Sequence, residues 1–442
     1  MKKKLTSSLF VLLSLALVLV LQAFLPKYAD RLKLFFIFLL LDGYLWFSIQ
    51  RSLQTLRTGF RYSLAIIYWL PLTLLLCVTV FGFFVPFLDW NLPLRTYLQN
   101  FILILFLTKL FPILTLILAD LARVFLFAVR YFSPDKKESF GSIIRAAVLL
   151  KSGWILGLLI FLIMTAGTIF WQFDFKIRTQ EITLNELPAS FNGFKIVQIS
   201  DVHLGSWGSA GKLQQAIDEI NGLKPDVIFF TGDMFNYCTA DGYGFEPVLK
   251  SLHAPFGIYA ILGNHDYGDY IHWPSAEAKQ QNMEDLKSFY KNLEWKLLLN
   301  SNDILKMRND SIAVIGVENW GSTRRFQRSG DIKRAQSGTE TMEIQLLLSH
   351  DPSHWETIIS RKYPKIDLTL SGHTHGGQVG IDCCGLHWSP VKWLYDHWCG
   401  LYKNPLPGPV QYLYVNQGLG NIGYSGRIGI MPEITLITLK CR

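Results

Sequence analysis

Cysteine is scarce here: six in 442 residues, one of which, Cys77, falls in an apolar run and leaves an odd five elsewhere. An odd number argues against a complete disulfide framework. Cys399 and Cys441 are candidate partners for the adjacent Cys383 and Cys384, but spacing fixes no pairing. The absence of Cys-x-x-Cys leaves thiolate metal binding unsupported. The C-terminal half has no basic stripe interleaved with aromatics, so nucleic acid is not an expected partner. Its one basic cluster, Arg324, Arg325, Arg328, Lys333 and Arg334, is either a solvated loop or a surface that meets phosphate. The apolar stretches lack the regular charge or Gly/Pro pattern of a transport path. No small-x-small site follows the first of them, where Leu21-Gln22-Ala23-Phe24-Leu25-Pro26 stands. The basic start Met1-Lys2-Lys3-Lys4 therefore reads as the flank of a retained anchor, not of a cleaved signal peptide.

Apolar sequence is abundant. Hydrophobic residues make up 50% and aromatics 14% of the chain. Five runs approach the ~20 residues that a helix needs to cross a bilayer: Leu5–Leu25, Lys33–Ile49, Leu64–Phe84, Leu98–Leu118 and Gly153–Trp171. Trp46, Trp90, Tyr97, Trp154 and Trp171 fall near their ends, as interfacial anchors do. Asp42 and Lys109 lie inside the runs. Either they pair or snorkel, or they serve a function. With the N-terminus in the cytoplasm, twelve Lys/Arg flank the inner ends and four the outer ones. Five crossings then place everything after Trp171 outside the cytoplasm. The net charge of +8 suits contact with an anionic leaflet. Residues 1–172 are expected to form a transmembrane region and 173–442 a separate domain.

The second half holds five signatures in order: Asp201-Val-His203, Gly232-Asp233, Gly263-Asn264-His265-Asp266, Ser349-His350 and Gly372-His373-Thr374-His375. Carboxylate, imidazole and amide oxygen are the donors that Mn, Fe or Zn accept. Each signature follows a run with strand character: Phe194–Ser200, Asp226–Thr231, Tyr259–Leu262, Ile344–Leu348 and Ile366–Ser371. Ligands gather at such carboxyl ends in open α/β sheets. Helices are expected over Gly211–Gly222, Phe245–Leu252 and Pro274–Leu293, a β-rich block over 296–317, and paired strands in the tail Gln411–Leu439. The fold class is α/β, a parallel core extended by antiparallel strands.

In this order the signatures resemble those of the calcineurin-like metallophosphoesterase family. Gly372–Gln378, Gly418-Leu419-Gly420 and Pro432-Glu433-Ile434 are similar to its membrane-associated bacterial branch of YkuE and YaeI type. The resemblance covers about Phe175–Leu439 and implies a four-layer sandwich of two mixed sheets flanked by helices. It implies two divalent ions, one on Asp201, His203 and His375, the other on Asn264, His350 and His373, with Asp233 bridging. It further implies that His265 protonates the leaving group, oriented by Asp266, and that water, not a serine or cysteine, is the nucleophile.

His354, four residues after His350, is a candidate for supporting the site. His253, His272, His387 and His397 read as ordinary histidines. One segment departs from the branch: Ile381–Leu401 carries cysteines, histidines and three tryptophans where a plain apolar, Pro-rich loop is usual. It forms either an interfacial wall or lid, or a small core under a long loop. The expected activity is hydrolysis of a phosphodiester or pyrophosphate in lipid-linked or envelope material. A nucleotide-linked glycolipid is a variant that fits a cytoplasmic face better. The alternatives are a silent sensor or scaffold, which the complete ligand set disfavours, and a transport component.

Overall fold

The computed structural model describes residues 29–132, 141–323, 326 and 328–442, and the chain divides into two compact units, Met1–Thr165 and Ala166–Arg442. The first unit is helical. Its helices are α1 (Ala29–Leu53), α2 (Thr58–Phe84), α3 (Leu92–Phe132) and α4 (Gly141–Ile169), whose last turn from Ala166 belongs to the second unit. Runs of Leu, Ile, Phe and Val around the whole helix circumference leave no polar face. Four stretches, Lys33–Gln50, Thr58–Phe84, Leu92–Phe125 and Val148–Phe173, are long and apolar enough to cross a membrane. The run Leu5–Leu25 lies outside the described residues. Asp42 of α1 and Lys109 of α3 meet at 2.8 Å, both buried, so these two charges pair. The Tyr68 hydroxyl donates to the Asp42 carbonyl at 2.6 Å, and the Lys109 ammonium lies 4.3 Å from the Tyr68 ring centre.

The second unit is built on two six-stranded mixed sheets. The first contains β1 (Lys176–Leu184), β2 (Lys195–Ile199), β3 (Val227–Phe230), β4 (Ile258–Ala260), β5 (Lys296–Leu297) and the last strand, β14 (Glu433–Cys441). Its order is β1-β14-β2-β3-β4-β5, with only the β14–β2 pair antiparallel. The second contains β6 (Ser301–Met307), β7 (Asp310–Gly316), β8 (Gln345–Leu348), β9 (Leu368–Ser371), β12 (Gly400–Lys403) and β13 (Tyr412–Val415). Its order is β12-β13-β9-β8-β7-β6, antiparallel only at its two outer pairs. Strands β10 (Ile381–Cys383) and β11 (Leu386–Trp388) form a separate hairpin.

The central strands are buried on both faces and read as continuous apolar runs, as parallel strands between layers must. Ile196, Phe229 and Ile437 of the first sheet share one core with Val314, Leu346 and Leu370 of the second. Helix α5 (Ala210–Gly222) buries Leu213, Ala216, Ile217 and Ile220, spaced for one helix face. Helix α6 (Ala276–Asn292) carries Tyr290 in its last turn, and the Tyr290 ring meets Phe230 of β3. On the second sheet, Ile332, Ala335, Trp355 and Ile359 pack over Ala313, Ile315, Leu347 and Val415.

Two expectations change. The segment Phe245–Leu252 has one helical turn, Glu246–Leu249, because Pro247 stands at its start and Pro255 follows closely. The tail strands do not pair with each other: β13 lies in the second sheet and β14 in the first. The connection between them is a long loop that passes the signature residues.

Candidate metal centre

All five signatures begin where a central strand stops. Beyond β2, β3 and β9 the chain turns sharply, and Asp201, His203, Asp233, His373 and His375 take left-handed backbone angles, with φ between 46° and 71°. Each such conformation costs a non-glycine residue ~1–2 kcal/mol. Strain of this kind, concentrated on the residues that share one point, marks a site held for function. Two glycines make the crowding possible. A Cβ on Gly372 would strike the Ser200 hydroxyl and the Asp201 carboxylate, and Gly232, at φ 99°, would place one 2.6 Å from the Gly263 nitrogen.

The side chains form two clusters. Asp201, His203 and His375 bring one donor atom each within 4.8 Å of the others, and so do Asp233, His350 and His373. One oxygen joins them: Asp233 Oδ2 lies 3.2 Å from His350 Nε2 and 3.6 Å from His203 Nε2. Asp233 Oδ1 accepts the His265 backbone N–H at 2.8 Å. The Asp201 carboxylate accepts the His373 N–H at 2.9 Å and lies 3.4 Å from His375 Nε2.

Backbone carbonyls orient the imidazoles. His203, His350 and His265 direct Nδ1 at the carbonyls of Phe235 (3.1 Å), Thr231 (2.7 Å) and Asn236 (2.8 Å). A carbonyl only accepts, so Nδ1 carries a proton in all three rings and Nε2 faces the site, where it takes either a metal or a second proton. His373 is reversed. Its Nε2 meets the Tyr395 hydroxyl at 2.7 Å, while Nδ1 lies 3.2 Å from His350 Nε2.

Electrostatics keeps His203 and His373 neutral. Burial lowers His203 to about 3 and His373 to about 4. Burial also opposes charge on His350, but the adjacent Asp233 carboxylate outweighs it and raises that ring to about 10. Burial likewise opposes charge on Asp233, yet His350 and the other imidazoles hold its carboxyl well below the usual range. Burial pushes Asp201 up to about 6. A divalent cation competes for the proton held in this cluster.

The donor set fits such cations. The Nε2 atoms of His203 and His375 lie 3.1 Å apart, a spacing at which both can serve as ligands of one cation. Asn264 donates through Nδ2 to the Tyr270 hydroxyl at 2.7 Å, and its Oδ1 is buried with no protein partner. An amide oxygen left in this state is what a hard metal completes.

Asp266 sits differently from the sequence reading. Its carboxylate accepts four backbone N–H groups, from Asp233, Met234 and Gly263 at 2.9 Å and Phe235 at 3.3 Å. It staples the Gly232-Asp233 turn to the Gly263-Asn264 turn, and the orienting partner of His265 is the Asn236 carbonyl instead. The reason is geometric: the single turn His265–Tyr267 directs the two side chains apart. His354 reaches the Ser349 hydroxyl through Nδ1 at 2.9 Å and stacks on Trp320, so it touches the residue preceding His350.

Arg427, fully buried, was missed. It donates to the carbonyls of His375 and Gln417 (3.0 Å each), Gly418 (3.2 Å) and Gly420, and to Asn421 Oδ1 (3.1 Å), which ties the β13–β14 loop to a signature residue. Tyr270, which stacks on His265 at 4.0 Å between centroids, was missed as well. Neither is in a motif. The only signal for Arg427 was an arginine in a glycine-rich segment between strands. All six cysteines are free thiols, and Cys399 Sγ faces His387 Nε2 at 2.7 Å instead of another cysteine.

A family model described as calcineurin-like phosphoesterase matches residues 194–377. The chain is similar to the uncharacterized metallophosphoesterase YkuE of Bacillus subtilis, 33% identical over 271 residues, covering 60% of this chain and 86% of that one. It is also similar to a zebrafish (Danio rerio) protein named transmembrane protein with metallophosphoesterase domain. That match is 29% identical over 280 residues and covers 60% of this chain but only 57% of the relative. A third relative is the UDP-2,3-diacylglucosamine pyrophosphatase LpxG of Chlamydia trachomatis, 29% identical over 302 residues, covering 57% of this chain and 86% of the relative.

Proposed function

This chain belongs to the calcineurin-like phosphoesterase family, a hydrolase of phosphoester bonds, and on that premise we propose that it is a membrane-anchored dimetal enzyme acting on a lipid-linked phosphodiester or pyrophosphate. The observation that carries the reading is the position of Asp233 Oδ2 between two three-residue donor clusters. One ion would be held by Asp201, His203 and His375, the other by Asn264, His350 and His373, with Asp233 common to both. When bound, the pair supplies the Lewis acidity that makes a nucleophile of water near neutral pH and neutralises charge at phosphorus. Asp201 and Asp233 supply the negative charge that keeps such ions in place. Asn236 holds the His265 ring with Nε2 toward the site, where the ring in its doubly protonated form donates the Nε2 proton to the departing alkoxide. Asp266 fixes the two turns that carry Asp233 and Asn264, so both approach the substrate from one rigid frame.

The lipid-linked class rests on four membrane-length helices in the same chain and on the acylated sugar nucleotide in the name of one relative. The Lys/Arg distribution supports an extracytoplasmic domain in the inner or plasma membrane, and Mn, Fe and Zn all suit the donors. The test is hydrolysis of paired soluble phosphodiester and phosphomonoester substrates by detergent-purified protein with Mn²⁺, beside Asp233→Asn and His265→Ala. Diester turnover lost in both variants supports the reading. Monoester turnover alone redirects it to a lipid phosphatase. No metal-dependent turnover with metal bound favours the sensor alternative.

A further inference from the structure

The tryptophan-rich segment resolves into two faces. Inward, Tyr395 contacts His373, the Thr374 hydroxyl donates to the Trp398 carbonyl at 2.6 Å, and Trp398 packs with Cys399 and Ile430. Outward, the hairpin and the turn after it expose large apolar side chains. Leu394 is 80% exposed, Trp393 72% and Leu386 62%, and Val379, Ile381 and Trp388 are exposed with them. A small core under a loop would bury these tips. Isolated exposed leucines need no explanation, but two tryptophans in edge contact, Trp388 and Trp393 at 5.7 Å, flanked by four exposed aliphatic side chains, form a patch.

The place of this patch in the unit bears on what could cover it. The last turn of α4 is part of the same compact unit, and it is fastened there: the Gly167 carbonyl accepts from the Arg427 N–H at 3.3 Å, and buried Gln172 accepts from Asn421 at 3.4 Å. The next residue, Ile428, pairs with Val379, and its carbonyl accepts the Gly380 N–H at 2.8 Å. Ile381 then begins the hairpin. The exposed patch is thus joined through one loop strand to the end of a membrane-length helix, where Phe170 is itself 66% exposed. Lys392 stands exposed between the apolar tips, and exposed tryptophan beside lysine is the composition of a lipid headgroup interface.

We propose that Val379–Leu394 is a lipid-contacting surface. Its outer tips enter the headgroup region of the bilayer that α4 crosses, and the next residue, Tyr395 on His373, places the metal centre against that interface. A lipid-linked phosphoester then reaches the site without leaving the membrane. The inference rests on the reading of α4 as a membrane span, and it stands apart from the identity of the substrate.

The test uses the full chain with exposed Cys77, Cys383 and Cys384 changed to serine, carrying Leu394→Cys or, as a control on β6, Lys306→Cys. Each variant is labelled with an environment-sensitive fluorophore and reconstituted into phosphatidylethanolamine–phosphatidylglycerol vesicles. Metal-dependent turnover of a soluble diester serves as the check on folding. Headgroup-depth spin-labelled lipid is expected to quench residue 394 at least about threefold more than residue 306, with the reverse order for aqueous iodide. Equal iodide access at both positions in inserted protein overturns the proposal. Protection from iodide without lipid quenching also overturns it, in favour of a protein partner. Failure of the chain to insert at all would remove the membrane reading beneath it.

Discussion

The two units bury charge in opposite ways. In the helical unit Asp42 and Lys109 face each other at 2.8 Å as a buried pair of opposite charges. In the sheet unit Asp201, Asp233 and four imidazoles converge with strained backbones, and a buried amide oxygen of Asn264 is left over. A closed pair serves structure. An open set of donors calls for something bound. Asp367 is a third case: a mostly buried carboxyl that accepts one backbone N–H from Gln345 and is raised to about 7 by burial, so it is held near neutral by protonation.

Breaking each kind of charge separates them. Asp233→Asn removes the anion shared by the two clusters, and diester turnover is expected to fall ~10³-fold or more. Thermal melts of the metal-free protein should show little loss, since a buried charge is also removed. Lys109→Met leaves Asp42 uncompensated, at a cost of ~3–5 kcal/mol. Chemical denaturation in detergent should register that loss while the folded fraction keeps its specific activity. Asp42→Asn combined with Lys109→Met should recover most of it. His265→Ala is expected to lower kcat by ~10²-fold or more with metal content unchanged. The loss should shrink for a substrate whose leaving group needs no proton; an equal loss for both would rule out proton donation.

The smallest effect concerns Asp367. Its folded pKa lies above the unfolded value, so its contribution is complete below about pH 4 and is lost as pH rises through about 7. Asp367→Asn retains an acceptor for Gln345 and should flatten stability between those limits. The variant should melt higher at pH 8 by ~1 kcal/mol and match the wild type at pH 4. A variant no more stable at pH 8 would show that the carboxyl is not held protonated.

What could be read from sequence was what lies contiguous in it. The signature residues sit one to four positions apart at strand ends, so composition and spacing placed them, and the apolar runs located α1 to α4. Residues that act across the fold were hidden. Arg427 works through carbonyls of His375 and of its own loop, and no residue type in the sequence announces a carbonyl as a partner. Tyr395 lies 22 residues beyond His373 in a segment whose path only the fold reveals. Asp266 was assigned His265 as its neighbour, whereas its carboxylate takes backbone N–H groups, because sequence adjacency does not specify where a one-turn helix aims a side chain. The pairing of the tail strands failed for a related reason: alternation identifies a strand, not the sheet that receives it.

The most direct test of the central claim is a count of metal ions per chain after saturation with Mn²⁺ and removal of free ion, read together with electron paramagnetic resonance. About two ions per wild-type chain with the spectrum of an exchange-coupled pair are expected. His375→Ala and His373→Ala should each lose the coupled signal and about one ion. One ion in the wild type, or a coupled pair that survives in Asp233→Asn, would contradict a centre built on the shared Asp233 carboxylate.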